Sequence, residues 1–437
     1  FAITTLRQQG KLNQAINHCQ TLCTAQPAHL KAWYLLAELH LESTQFDSAL
    51  GAALHAEALA PEQPQIQLLK AQCLIASGET TDAILCLDAL IATEQALLAK
   101  DWNKLGVLCH RVNRHQAALH CFLQANSQFP NYLEYRYNLA TSLRNKGNLS
   151  RAPALLSDII SQYPQHADAH LALSQLSSQH RQHLPKLDLA LESSDLNPVS
   201  KSKLLFAKGK ALEDNGDHSA AFECFDAANR LRQAQSRYQL QSDEVAMQAI
   251  IDAFPSCEQV PASVNTNREP TPIFITGLPR TGTTLVQQLL TNSNRVVSAG
   301  ELHHFSACLT KQVQQRVSAP TDVTGFVQAA AQINSEQLGH NYCASLRPYQ
   351  QKAHYVIDKL PLNFLYLGPI RRAMPQAKLI HLTRAPMAAC FAMYKTSFEQ
   401  AYPFSYCLSN LAGYYLAYRA LLAHWQETLQ DNLLLVN

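Results

Sequence analysis

Residues 272–290 read PIFITGLPRTGTTLVQQLL, and their spacing is that of a loop built to hold an anion. Gly277 and Gly282 stand as in G-x-x-x-x-G-K-[ST], but Thr283 occupies the lysine position and Thr284 follows it. In that motif the glycine-rich backbone cradles the inner phosphates and the lysine reaches the outer ones. The β-branched run IFIT before the loop reads as a strand, and TTLVQQLLT after it has helical periodicity. The loop therefore opens a helix, whose free N–H groups favour negative charge. Arg280 adds a cation, and Thr283 and Thr284 add hydroxyl donors. Without the lysine the cradle suits a shorter chain than a nucleoside triphosphate with its Mg²⁺. One phosphate with a sulfuryl group beyond it, a 5′-phosphosulfate, fits.

The segment PRTGTTL resembles the 5′-phosphosulfate loop of sulfotransferases, in the form found in protein-tyrosine sulfotransferases. From end to end the chain resembles the bacterial tetratricopeptide-repeat sulfotransferases. YVIDKLPLNFLYLGPIRRAMPQAKLIHLTR (355–384) and YYLAYRALLAHW (414–425) carry the resemblance beyond the loop. It implies transfer of a sulfuryl group from 3′-phosphoadenosine 5′-phosphosulfate to a hydroxyl acceptor, with no metal, and a protein tyrosine is one acceptor it suggests. Arg280, Thr281, Gly282, Thr283 and Thr284 take the 5′-phosphosulfate role. Glu301, in SAGE, matches the general base, and a carboxylate at hydrogen-bond distance can take the proton of an attacking hydroxyl. A first-turn helix carboxylate is the plainer reading of Glu301. His303 and His304 compete with it, because cytosolic sulfotransferases use histidine. Lys359, after the strand-like HYVID, matches the lysine that stabilises transition-state charge. Arg384, ending the apolar run of AKLIHLTRAP, matches a 3′-phosphate ligand.

The chain departs from the family at Ala392, where a serine is the second 3′-phosphate ligand. Either the cofactor is held less tightly there or another donor such as Tyr394 or Lys395 substitutes, and Ser397 lies further along. This departure keeps a non-catalytic repeat scaffold with a decayed transferase domain as an alternative. A P-loop kinase or ATPase is the other, disfavoured by Thr283.

A repeat array precedes this segment. Ala15, Ala49, Ala83, Ala118 and Ala152 recur every 34 or 35 residues, and Ala220 returns after two further periods. Pro27, Pro61, Pro130, Pro164 and Pro198 keep the same beat, with Gln95 standing in once. Gly10, Gly78 and Gly147 each precede the alanine by five. This period resembles the tetratricopeptide repeat, a helix–turn–helix unit. The alanine lets two helices approach, the glycine makes the turn and the proline closes the unit. The unit 165–198 is degenerate and carries Pro185. The expected architecture is an α-solenoid of tetratricopeptide repeats (1–235), a connecting helix and linker (236–271), and an α/β P-loop-like domain with a parallel sheet (272–437), cut short at its C-terminus. Strands are expected only after Pro272. An array of this kind binds protein or peptide partners.

Composition excludes other classes. The net charge of +2 over 437 residues argues against nucleic acid as a partner. After Ile250 there are 14 basic and 10 acidic residues, a mild excess that suits a small anion. No apolar run is long enough for a membrane span. The 12 cysteines lack C-x-x-C pairs, so Cys19 and Cys23 beside His18 read as buried thiols rather than zinc ligands. Buried free thiols favour a reducing compartment, the cytoplasm. Phe1 and the strand-like NLLLVN at 432–437 read as cut ends, which leaves a lost leader open.

Overall fold

The computed structural model describes residues 2–93, 97–145, 150–176, 180–255, 270–317, 322–350 and 353–437. The chain divides into two compact units, Phe1–Leu155 and Leu156–Asn437.

In the first unit the sequence period is a period of helix pairs. Leu30–Glu42 pairs with Phe46–Leu59, Pro64–Ala76 with Thr80–Ala92, and Ala99–Arg111 with His115–Gln128. Ala15, Ala49, Ala83, Ala118 and Ala152 are fully buried, so the helices meet at a distance that no larger side chain would allow. Ala220 is only half-buried, and its neighbour Ala221 takes the core place in the last unit.

The turns explain the glycines. Lys11, Gln45, Glu79, Arg114 and Asp217 each donate their N–H to the carbonyl five residues back, at 2.8–3.0 Å. This is the Schellman closure, and it requires a left-handed residue just before the donor. Gly10, Gly78 and Gly216 supply it with φ of +73°, +83° and +86°. Thr44 and Asn113 supply it too, both at φ +58°, where a Cβ is costly. The sequence period therefore marks a backbone conformation, not a residue type. Gly147 and Gln95 lie outside the described residues. Pro27, Pro61, Pro130 and Pro164 stand in turns, whereas Pro198 opens the helix Pro198–Asp214, where its missing N–H costs nothing. Cys19 and Cys23 are buried, and burial pushes the Cys19 thiol up to about 12.

The second unit contains the last helix pair, Pro198–Asp214 and His218–Gln233, the helix Leu240–Ala253, and a parallel sheet. The expected linker falls largely on 256–269, outside the described residues. Five strands follow: β1 (Thr271–Gly277), β2 (Val296–Ser298), β3 (Tyr355–Asp358), β4 (Lys378–Leu382) and β5 (Leu433–Val436). β1 starts at Thr271, one residue before the limit expected from the sequence, and no strand occurs among the described residues before it. The sheet order is β2-β3-β1-β4-β5, every pair parallel. Ile273, Ile275, Ile357, Ile380 and Leu382 form one buried cluster on it. The chain runs outward from β1 to β2 at the edge, returns to β3 between them, then crosses β1 to β4 and β5. That reversal beside β1 is a topological switch point, where open parallel sheets leave a crevice at the strands' C-terminal ends. Among the described residues no helix is long and apolar enough to cross a membrane.

Candidate functional site

The loop after β1 has the geometry of an anion cradle. Gly277 lies at φ +149°, and a Cβ there would come within 2.6 Å of the Leu382 carbonyl at the end of β4. Only glycine lets the two strand ends approach this closely. Arg280 follows at φ +68° and Gly282 at φ +102°, so the chain turns twice before the helix Thr283–Leu290 begins. The Thr281 hydroxyl donates to the Leu278 carbonyl at 2.7 Å and braces the turn. The N–H groups of Arg280 to Thr284 find no protein acceptor among the described residues. Arg280 and Thr284 are exposed, while Thr283 is buried.

Four of the residues singled out in the sequence follow four neighbouring strands. Glu301 comes after β2, Lys359 after β3, Arg280 after β1 and Arg384 after β4. Because all four strands are parallel, these residues lie along one edge of the sheet. Arg384 Nη1 donates to the Arg280 carbonyl at 3.0 Å, tying the end of β4 to the loop. The Lys359 ammonium pairs directly with the Glu301 carboxylate. The lysine side chain is 10% exposed and the glutamate 47%, so the cation is covered while the carboxylate faces open space.

The pair stands on a rigid base. Lys359 N–H donates to the Gly300 carbonyl at 2.8 Å, and Leu302 N–H donates to Asp358 Oδ1 at 3.3 Å. Asp358 is fully buried and also accepts the Tyr342 hydroxyl at 2.8 Å. Burial pushes the Asp358 carboxyl up to about 7, against the pull of Tyr342 and the Leu302 N–H.

The other candidates resolve differently. His304 faces the Ser345 hydroxyl at 3.1 Å, and burial lowers its imidazole to about 4, which makes it a poor base at neutral pH. His303 is exposed at the start of the same helix. Ala392 is buried. Tyr394 and Lys395 are engaged by other partners: the Tyr394 hydroxyl donates to Asp226 at 2.8 Å and Lys395 pairs with Glu213 at 2.6 Å. Asn229 also donates to the Tyr394 carbonyl at 2.9 Å. These groups bind the last helix pair, because a buried or half-buried donor takes the acceptor packed against it.

Two cavities lie in the second unit. One of about 500 Å³ is lined by Thr281, Arg384, Tyr415, Tyr418 and Arg419. The other, about 430 Å³, is lined by Tyr238, Leu362, Tyr402, Phe404 and Tyr414. Tyr402, in the second cavity, is raised to about 12 by burial and by the charge of Glu301. The sequence reading gave no role to Tyr402, Tyr415 or Arg419, although the last two lie in the run YYLAYRALLAHW that carries the resemblance. A larger cavity of about 810 Å³ lies in the first unit against Leu50, Leu54 and Leu85, and none of these groups lines it.

Comparison with known proteins gives matches to both parts of the chain. Residues 272–437 match the sulfotransferase family. Residues 111–167 and 202–235 match tetratricopeptide repeats, and 8–90 match anaphase-promoting complex, cyclosome, subunit 3. The chain thus carries a sulfotransferase-family domain after a tetratricopeptide-repeat region. It is similar to an uncharacterised protein of Aquifex aeolicus, 25% identical over 74% of this chain and 43% of that protein. It is also similar to human protein O-mannosyl-transferase TMTC1, 28% identical over 33% of this chain and 17% of that protein. The chain thus spans less than half the length of either relative. Among solved structures, a tetratricopeptide repeat protein from Parabacteroides merdae aligns with TM-score 0.41 and 15% identity, over 53% of this chain and 90% of that one.

Proposed function

We propose that the protein transfers a sulfuryl group from 3′-phosphoadenosine 5′-phosphosulfate to a hydroxyl acceptor, and that a protein tyrosine is the acceptor. The observation that carries this reading is the Glu301–Lys359 pair on the sheet edge that also bears the anion loop. The N–H groups of Arg280–Thr284, with the Thr284 hydroxyl and the Arg280 guanidinium, would hold the 5′-phosphosulfate. Arg384 would hold the 3′-phosphate, and the cavity beside Tyr415 and Arg419 has a volume suited to the nucleoside. The absence of a serine at 392 removes one ligand from that set.

In the reaction the acceptor oxygen attacks sulfur, its proton passes to Glu301, and the bond from sulfur to the phosphate oxygen breaks. Adenosine 3′,5′-bisphosphate leaves with that oxygen. Lys359 meets the negative charge growing on the bridging oxygen, where a positioned cation stabilises the transition state most. The aromatic cavity at Tyr402, a residue that feels the charge of Glu301, is the side from which the acceptor ring would enter. The repeats recruit the acceptor protein or its carrier.

The test is incubation of the protein with donor labelled in its sulfuryl group and a host lysate, followed by identification of the labelled residue. Labelled tyrosine supports the reading, and label on carbohydrate overturns the acceptor assignment. Hydrolysis of ATP with Mg²⁺ in place of any sulfuryl transfer would favour a kinase or ATPase.

A further inference from the structure

The turn that presents Glu301 is held to β3 from both sides. On one side Lys359 N–H binds the Gly300 carbonyl, and on the other the Asp358 carboxylate binds the Leu302 N–H. Gly300 sits at φ +79° between them, and its N–H donates to the Ser298 hydroxyl at 3.1 Å. Neither Asp358 nor Tyr342 faces the open side of the site. Both are fully buried, and Tyr342 is packed between the rings of Phe274 and Phe305, at 5.4 and 5.5 Å. A buried carboxylate in such a place costs stability unless its partners use it. Its charged and polar neighbours are the Tyr342 hydroxyl, the Leu302 N–H, Glu301 and the Asn363 amide, which lies beside it without forming a well-aligned hydrogen bond.

We propose that Asp358 and Tyr342 are positioning residues for the Glu301–Lys359 pair: the hydroxyl fixes the carboxylate, the carboxylate fixes the Leu302 N–H, and the turn then fixes Glu301. Neither residue touches substrate. Asp358 reaches the two ends of the pair at once, because it immediately precedes Lys359 and binds the residue immediately after Glu301. The kinetic consequence rests on the sulfuryl-transfer reading, while the geometric one does not.

Tyr342→Phe keeps the ring between Phe274 and Phe305 and removes only the hydroxyl. Its kinetic arm is a double-mutant cycle with Glu301→Gln. Alone, Tyr342→Phe lowers kcat roughly tenfold, the scale of one lost hydrogen bond, with nucleotide affinity unchanged. On the Glu301→Gln background it has almost no further effect, because it acts through Glu301. Equal losses on both backgrounds overturn the proposal, since a general weakening of the fold would do that. A second arm needs no turnover. Trace acetylation at about pH 8, read by mass spectrometry, reports how far the Lys359 ammonium is engaged and covered by its partner. Both Glu301→Gln and Tyr342→Phe free the ammonium and raise its reactivity about threefold or more. Reactivity that rises in Glu301→Gln and stays at the wild-type level in Tyr342→Phe overturns the positioning role, whatever the activity. Asp358→Asn, which keeps the shape and removes the charge, runs beside it and gives the same ordering if Tyr342→Phe does not fold. A wild-type protein with no transfer at all would sink the functional reading and leave the acetylation arm to decide this one.

Discussion

Arg384 Nη1 donates to the carbonyl oxygen of Arg280 at 3.0 Å, so the residue proposed to grip the 3′-phosphate also braces the loop proposed to hold the 5′-phosphosulfate. The two roles are separable by ligand. Arg384→Ala should weaken adenosine 3′,5′-bisphosphate roughly 10- to 100-fold, the scale of a charge-assisted hydrogen bond. Adenosine 5′-phosphate, which lacks the 3′ group, should weaken much less. Equal losses for the two nucleotides by calorimetry would leave Arg384 with the loop-bracing role alone.

Glu301→Gln should lower turnover by about 10²- to 10⁴-fold while nucleotide affinity barely changes, because a base acts on the acceptor and not on the donor. Lys359→Ala should lower turnover as well, through lost charge stabilisation. Full activity in Glu301→Gln, with loss in His303→Ala, would move the base to the exposed histidine next to it.

Ala392→Ser would restore the hydroxyl that the resemblance leads one to expect. Affinity for adenosine 3′,5′-bisphosphate should rise about 3- to 10-fold, one net hydrogen bond. Lys395→Ala and Tyr394→Phe should leave that affinity within about twofold, because both groups are bound to Glu213 and Asp226. Their cost should show instead as a lower melting temperature. A large loss of nucleotide affinity in either would return them to the donor site.

His304 is held at about 4 by burial, below its ordinary 6.5. The unfolded chain therefore takes up the proton first as pH falls. The stability due to the neutral imidazole is complete above about 6.5 and is lost as pH falls toward about 4. His381, also lowered to about 4 by burial, acts in the same sense. His304→Gln keeps a partner for Ser345 and should flatten the fall in melting temperature between these pH values. An unchanged slope would show that His304 does not titrate with unfolding.

Thr44 holds the left-handed turn position at φ +58° that Gly10 and Gly78 hold elsewhere. Thr44→Gly should stabilise the protein by about 1 kcal/mol and Gly78→Ala should destabilise it by a similar amount, measured by denaturant unfolding. A destabilised Thr44→Gly would mean that the threonine side chain offsets its backbone strain.

The sequence by itself determined what is local. The repeat period follows from residues that meet within one helix pair, where a buried alanine and a left-handed turn recur at fixed spacing. The anion loop follows from glycines five apart between an apolar run and a helical one. Both depend on conformation over fewer than about 35 residues, which is why spacing alone reveals them. Tertiary structure decided the rest. Lys359 and Glu301 are 58 residues apart, and only the parallel pairing of β2 with β3 brings them together. Arg384 and Arg280 are 104 apart and meet because β4 lies beside β1. Tyr394 and Lys395 offered the right chemistry for a phosphate in the sequence, yet packing against Asp226 and Glu213 committed them elsewhere. A side chain's chemistry is written in its type, but which acceptor it finds depends on the elements folded against it, and those lie far away along the chain.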